Sequence, residues 1–319
     1  MIKIRTLNIN DISRLRELCD DNEALNKIEK SKIECLFQPV IPHNFRTFPS
    51  LHLAIEEKNI LGFVILKCAS KPNNTWQIEH VFVRDELRNE GVGEELIRYV
   101  ISLYGGYGVE HFLAEVNPLN SAATSLFHTC GFRKCAKVSF YSKEINTASE
   151  TEENILSFDK DFVIRPQALS DVSHLEKLEL SSIPPDLRFA LGRSKEFFKG
   201  KKNSYVLIHK PRNMIIGWFN IDQLADDHFA SELLISPGWT HLYEQLLNTV
   251  MYDYLANTGV NVKLTIKVTD YLTELNEILR KLNFLPADVR ELLIRIIWQK
   301  VKEKKKKLTR GVIPSAAPT

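Results

Sequence analysis

The sequence predicts an α+β chain made of two tandem copies of one domain, each a mixed, mostly antiparallel central sheet flanked by helices. Three observations carry this expectation. The length, 319 residues, is that of about two domains. Hydrophobic residues make up 44% and charged residues 26%, which allows a packed core and excludes a disordered or fibrous chain. The third observation is an internal repeat. Residues 2–18 and 162–178 share Ile4/Ile164, Arg5/Arg165, Asp11/Asp171, Ser13/Ser173, Leu15/Leu175 and Leu18/Leu178 at a single offset of 160. Ile60-Leu61-Gly62-Phe63 recurs as Ile215-Ile216-Gly217-Trp218 at an offset of 155, and Cys130-Gly131-Phe132 as Leu282-Asn283-Phe284 at 152. One such match arises by chance; three in the same order mark a duplicated unit whose second copy has lost a few loop residues.

The elements of the first copy follow in order. Residues 2–5 read as a strand and 11–19 as an amphipathic helix opened by Asp11. Asp20–Ser50, with Pro39, Pro42 and Pro49, reads as an irregular or helical stretch. Alternating apolar residues place strands near 51–56, 60–68 and 75–83, the first two joined by the polar turn Glu56–Asn59. Leu96, Ile97, Val100, Ile101 and Tyr104 make one face of a helix over 92–104, with Gly105-Gly106 expected as its C-cap. A strand over 111–116, a helix over 119–130 and a strand over 132–141 complete the copy. The acidic, aperiodic segment Asn146–Ser157 reads as a linker. The expected domains are therefore 1–146, a linker at 147–158, a second copy at 159–300 and a basic tail at 301–319.

Charge and composition narrow the function classes. The formal charge is +2, but the tail carries +5 and the rest of the chain −3, so the folded part gives no electrostatic argument for nucleic acid. No apolar run approaches the ~18 residues needed to span a bilayer, and the N-terminus has no apolar signal core. The five cysteines are odd in number and form no CxxC, and the nine histidines form no HxxxH pair. That pattern points to a reduced, cytoplasmic protein with no metal centre.

The strongest chemical signal lies between the strand at 75–83 and the helix at 92. Trp76–Gly93 reads WQIEHVFVRDELRNEGVG. Gly91 and Gly93 stand immediately before the helix, where glycine permits backbone conformations and close approaches closed to other residues. The free N–H groups and dipole of a helix N-terminus favour an anion, and Arg88 adds positive charge. A phosphate or pyrophosphate is the simplest such anion. The loop has no Gly-Lys-Ser/Thr and lacks the third glycine of the dinucleotide fingerprint.

The spacing Arg88-x-x-Gly91-x-Gly93 after a strand ending Val81-Phe82-Val83 resembles the pyrophosphate loop of the GNAT superfamily of N-acetyltransferases. Asn120, Ala123, Leu126, Phe127, Gly131 and Phe132 fit that family's second motif in register, and Arg5, Asp11 and Leu61-Gly62-Phe63 its opening elements. The resemblance implies that acetyl-CoA lies where strands 76–83 and 111–116 splay apart. The backbone at Val81, Phe82 and Val83 would pair with the pantetheine arm, and amides of Arg88, Asn89, Glu90, Gly91, Val92 and Gly93 would hold the pyrophosphate. Asn120 would contact pantetheine, with Phe127 beside it. An amine acceptor, small molecule or protein, would attack the thioester directly. The family's frequent base position is Gln77 here. Glu79, two residues on and on the same strand face, is the first candidate base, and Glu115 the second; His80 is expected on the opposite face. Phe127 stands where the family usually has a tyrosine acid, which leaves Tyr141 or Cys130 as donors, or none. That departure keeps open a non-catalytic acetyl-CoA sensor. The second copy lacks the cradle: only Gly238 remains, and Leu272 and Leu279 replace Asn120 and Phe127. It is expected to be a degenerate GNAT-like domain packed on the first.

Overall fold

A computed structural model describes residues 2–20, 50–57, 59–70, 75–145, 158–185, 187–255 and 262–297. The expected linker, the basic tail and nearly all of the Asp20–Ser50 stretch lie outside the described residues. The first half contributes β1 (Lys3–Thr6), α1 (Ile12–Asp20), β2 (Ser50–Glu56), β3 (Asn59–Ser70), β4 (Thr75–Val83), α2 (Val92–Gly106), β5 (His111–Val116), α3 (Ser121–Thr129) and β6 (Arg133–Ile145). The second contributes β7 (Phe162–Pro166), α4 (Val172–Ser182), α5 (Arg188–Leu191), α6 (Lys195–Gly200), β8 (Ser204–His209), β9 (Met214–Ala225), β10 (His228–Ile235), α7 (Tyr243–Thr249), β11 (Val262–Thr269), α8 (Thr273–Lys281) and β12 (Leu285–Ile296).

The two halves share one sheet. Its twelve strands run β1-β2-β3-β4-β5-β12-β6-β11-β10-β9-β8-β7. The last strand of each half is exchanged: β12 pairs with β5, and β6 with β11, both antiparallel. β12 and β6 pair with each other at the centre. The side chains of β12 and β6 therefore fill the other half's core. Leu293 is fully buried with Ala114, Leu96 and Val100 of the first half, whereas Tyr141 and Ile145 are buried with Ile266, Leu247 and Leu264 of the second.

The repeat is exact enough to be read in bonds. Arg5 donates to both oxygens of Asp11 at 2.6 and 2.9 Å, and Arg165 to both of Asp171 at 2.7 and 2.9 Å. The same carboxylates accept from Asn8 N and Ala168 N, closing the turn into α1 and α4. In both pairs the arginine hydrogen bond holds the carboxyl below the usual carboxylate range against the opposing effect of burial. Gly62 and Gly217 each face the strand that follows: a Cβ on Gly62 would collide with the Phe82 carbonyl, and one on Gly217 would lie 3.3 Å from the Leu234 carbonyl. Gly131 and Asn283 end α3 and α8 in the same left-handed conformation, at φ 79° and 60°.

One expected cap is displaced. Gly105 and Gly106 lie inside α2, and Gly108 is the residue with positive φ, 93°. Val109 N then bonds back to Tyr104 O at 3.0 Å, closing the helix one turn later than its two glycines suggest.

The sheet has helices on both faces. α2 and α3 cover one face of the first half, and α7 and α8 the same face of the second. α1 lies on the opposite face over β2 and β3. α4 and α6 lie on that opposite face over β8–β10, and α5 over the central strands β5, β12 and β6. Apolar face-on-face burial of this kind, at about 25 cal/mol per Å2, is the main force holding the layers together.

Candidate active site

β4 and β5 pair in parallel only from Thr75/His111 to Ile78/Ala114. Beyond Ala114 the next neighbour of β5 is β12, which pairs as far as Glu291/Val116. The two strands therefore part after Ile78, and a gap opens in the sheet with Glu79 on one lip and Glu115 on the other.

A β-bulge sits at this point. Ile65 pairs with His80 but Leu66 with Ile78, so Glu79 is the extra residue. The side chains record the shift: Trp76 and Ile78 pack under α2, and after the bulge Val81 and Val83 do so instead. Phe82 turns to the α1 face, stacked on Phe63 at 5.3 Å. His80 thus shares the face of Glu79 and Gln77, not the opposite one as strict alternation predicts; the inserted residue reverses the parity.

The backbone beyond the bulge is aimed into the gap. Arg84 N donates to Leu61 O at 3.0 Å, so this pair is the hydrogen-bonded type. Antiparallel pairs alternate between bonded and non-bonded types. Val83, opposite Gly62, and Val81, opposite Val64, are then non-bonded pairs. Their N–H and C=O groups point away from β3, toward the edge β5 has left.

The turn from β4 to α2 ends at Gly91, whose φ of 86° is left-handed and whose missing Cβ would meet nothing within 4 Å. Conformation, not space, requires glycine there. Gly93 is different: a Cβ would lie 3.1 Å from Leu126 and 3.5 Å from Val83, so glycine lets α2 sit against α3 and β4. Asn89 is also left-handed, at φ 68°. The first α2 bond of this turn is Glu95 N to Gly91 O at 3.0 Å, so the amides of Gly91, Val92, Gly93 and Glu94 precede the helical ladder. Arg88 is exposed and paired with Asp85 at 2.6 Å; Glu90 is exposed beside it.

The remaining expected site residues fall in distinct places. The Asn120 side chain caps α3, accepting from Ala123 N at 2.9 Å. Phe127 is buried, edge-on to Phe132 at 5.0 Å. Glu79 is paired with Lys67. Glu115 is held at 2.7 Å by Lys267 of β11, with Arg290 of β12 at 3.9 Å. Tyr141 is not near these groups. It lies on β6, beyond β12, buried in the second half's core; the strand exchange carries it there. Cys130 is fully buried, and burial pushes its thiol up, which disfavours the thiolate.

Sequence reasoning missed a second set of groups on the same face. A cavity of about 540 Å3 lies between the sheet and α4–α6. Gln77 and Glu115 open into it from the gap, and Glu179, Arg193 and Glu232 line its far end. Arg193 Nε bonds both oxygens of buried Glu179 at 2.6 and 2.7 Å, and Arg193 also holds Glu232. Burial pushes the Glu179 carboxyl up, with Arg193 opposing it, whereas Arg193 and Lys201 hold Glu232 down against its own burial. The repeat offered one signal: Glu232 follows the last β10–β11 pair, Ser231/Ile266, as Glu79 follows the last β4–β5 pair.

Residues 15–132 match the sequence model of the acetyltransferase (GNAT) family. Over that stretch the chain is similar to this family. The fold of the whole chain matches a tandem GNAT protein from the clavulanic acid biosynthesis pathway, with a TM-score of 0.62 at 12% identity, covering 94% of this chain and 100% of that one. A GCN5-related glucosamine N-acetyltransferase region of a fungal multi-domain GH3 β-N-acetylglucosaminidase gives 0.66 at 12%, covering 92% of this chain and 38% of that one. A GCN5-related N-acetyltransferase from Sphaerobacter thermophilus gives 0.58 at 10%, covering 92% and 95%. At such identities the likeness is one of fold. No curated protein matches the sequence.

Within this tandem GNAT fold the second half lacks the cradle. β10 pairs with β9 in unbroken register through Glu232, with no bulge there. The approach to α7 is a tight 3-10 turn, Pro237–Leu242, and Gly238 has no positive φ. Leu272, in the place of Asn120, caps α8 with no side-chain bond. Among the described residues no cluster suited to a metal occurs, and no helix is long and apolar enough to cross a membrane.

Proposed function

We propose that the protein is an acetyl-CoA-dependent N-acetyltransferase that passes an acetyl group to a primary amine by direct attack in a ternary complex, using the gap between β4 and β5. The observation that carries this reading is the free edge at Val81 and Val83 running into the left-handed turn at Gly91. An exposed strand edge pairs with an extended, amide-bearing ligand, and a helix N-terminus receives its phosphates. Those two features stand in the order in which pantetheine and diphosphate occur in coenzyme A. Bound there, acetyl-CoA supplies the thioester that the amine attacks.

The chain's own groups then have separable roles. Val81 and Val83 present backbone N–H groups to the thioester carbonyl and hold the arm in register. Gly91, Val92 and Gly93 present their amides to the diphosphate, with Arg88, Asn89 and Glu90 forming the rim of the turn. Asn120 fixes the start of α3, and Phe127 the packing behind it. Glu79 and Glu115, one on each lip of the gap, take the ammonium proton directly or through water. Phe127 carries no acidic proton and Tyr141 lies elsewhere, so the thiolate leaves with solvent as its proton source.

The buried phenyl ring at 127 and the ion-paired state of both carboxylates favour one second reading, a non-catalytic acetyl-CoA sensor. Steady-state release of free coenzyme A with a panel of amines separates the two. Release that depends on amine supports transfer; tight acetyl-CoA binding with no amine-dependent release refutes it. The proposed location is cytoplasmic, on the free thiols of Cys130 and Cys135.

A further inference from the structure

We propose that the cavity between the sheet and α4–α6 is the acceptor site, that it takes a small, singly charged amine with an apolar body, and that the second half sets this specificity through Leu191, Leu272 and Arg193. This inference rests on the transfer reading above for the location of the chemistry. The floor of the cavity spans both halves, from Lys67 and Gln77 on β3 and β4, through Leu113 on β5 and Leu292 on β12, to Lys267 and Glu232 on β11 and β10. Among the described residues its roof is Ile183, Ala190, Leu191 and Phe197, from the second half. The diphosphate turn at Gly91 lies on the α2 face and the cavity on the other, so the gap at Glu79 and Glu115 is the passage between them.

Size and charge select the occupant. A volume of about 540 Å3 lies within the ~300–1,000 Å3 usual for small-molecule sites. Leu113, Val138, Leu191, Leu272 and Leu292 supply an apolar middle, which rewards a body wider than a lysine stem. Among the described residues the charged groups lining it are Lys67, Arg193 and Lys267 with Glu115, Glu179 and Glu232, and Glu79 stands beside Lys67 at its edge, three cations to four carboxylates. Every one of these cations already holds a carboxylate, Lys67 that of Glu79, Lys267 that of Glu115, and Arg193 those of Glu179 and Glu232. One ammonium can share Glu115 at the gap. A polyamine or a basic peptide would bring more charge than that one-carboxylate excess balances, and at the buried end it would have to displace Arg193 from Glu179. Arg193 at the far end, stacked over Phe197 at 4.2 Å, offers a fixed donor to a polar group on the distal side of the acceptor.

The test is equilibrium binding by calorimetry to the full chain. Phenethylamine, spermidine and a lysine-containing decapeptide are each titrated with saturating coenzyme A, and phenethylamine is titrated again without it. Phenethylamine is expected to bind about tenfold or more tighter than the other two. Leu191→Trp and Leu272→Trp, which fill the cavity from different elements, are each expected to weaken it by about tenfold while coenzyme A affinity stays unchanged. Equal or tighter binding of spermidine or peptide overturns the proposal. So does wild-type affinity for phenethylamine in both filled variants. Loss of coenzyme A binding, with phenethylamine still bound and still sensitive to Leu191→Trp, refutes the transfer site and not the cavity. Amine binding without turnover counts against transfer alone.

Discussion

Leu293→Ala tests the exchanged strand most directly. Leu293 belongs by sequence to the second copy, yet it is fully buried beneath α2 with Ala114, Leu96 and Val100 of the first. It sits on β12 with β5 on one side and β6 on the other, opposite Ala114 and Lys134. Backbone bonded on both edges leaves little room for the site to collapse around a lost isobutyl group, so the full cavity cost applies. For a fully buried leucine that cost is about 2–5 kcal/mol. With an unfolding entropy of ~2.1 cal/mol/K per residue over a chain of this size, Tm falls by about 3–8 °C.

Where the loss appears matters more than its size. Trp76 reports on the first half's core and Trp218 on the second's. In one continuous sheet both must lose structure in a single transition, shifted equally by Leu293→Ala. The assay is urea unfolding followed by fluorescence of variants that keep one of these tryptophans at a time. The mirror variant Ile145→Ala removes a first-half residue from the second half's core and must behave alike. Two separate transitions, with Leu293→Ala moving only the one seen by Trp218, would refute the exchange of strands.

Four further outcomes follow from the site and the repeat. Gly91→Ala forces a side chain into left-handed backbone with open space around it, costing about 1–2 kcal/mol of stability, and is expected to weaken acetyl-CoA binding by distorting the turn. Gly93→Ala presses on Leu126 and is expected to cost about 1–3 kcal/mol of overpacking; trimming Leu126 to Ala should ease the Gly93→Ala defect and leave that of Gly91→Ala unchanged, and equal relief of both counts against these distinct roles. Glu79→Gln, measured as a pH–rate profile, is expected to lower kcat and remove the acidic limb, and an unaltered profile excludes Glu79 as the base. Asp171 titrates below its unfolded value because of Arg165, so its contribution to stability is present above about pH 4 and is lost as pH falls through the lower, folded pKa. Asp171→Asn should therefore lower stability at pH 7 and flatten the acid side of the stability curve, and an equally steep acid loss in the variant would contradict this.

Much of the fold was legible because it is local. The Arg-Asp pairs, the Gly62 and Gly217 contacts and the αL ends at Gly131 and Asn283 each depend on residues a few positions or one hairpin apart, and the repeat exposed them twice. The partner of a strand is not local. Nothing in the alternation of Arg133–Ile145 says whether it pairs with its own half or the other, so the sequence alone leaves Tyr141 among the site candidates although β12 separates it from β5. The bulge was equally silent. One inserted residue at Glu79 reverses the parity of everything after it, which brings His80 round to the face of Glu79 while leaving the apolar pattern of Val81–Val83 looking like uninterrupted strand. The cradle was legible for the opposite reason: glycine at 91 and 93 is a requirement of the backbone itself, and the two positions carry it for two causes, conformation and close packing.

The exchange also explains how a half without a cradle bears on the chemistry of the other. A gap between β4 and β5 needs one strand to stay while the other leaves. β5 is held along its other edge by β12 from Glu291 to Ile296, so its position is fixed from the second half. β4 is held along its other edge by β3 and diverted by the bulge at Glu79. The lip at Glu115 is in turn fixed by Lys267 and approached by Arg290, both from the second half and both within 6 Å of the Phe140 ring on β6. Replacing Lys267 by Met would leave the sheet bonded but release the carboxylate, so the expected effect is on the pH dependence of turnover with Tm nearly unchanged, an exposed pair being worth only ~0–1 kcal/mol. A large fall in Tm with an unchanged pH profile would assign Lys267 to structure and detach the second half from the reaction.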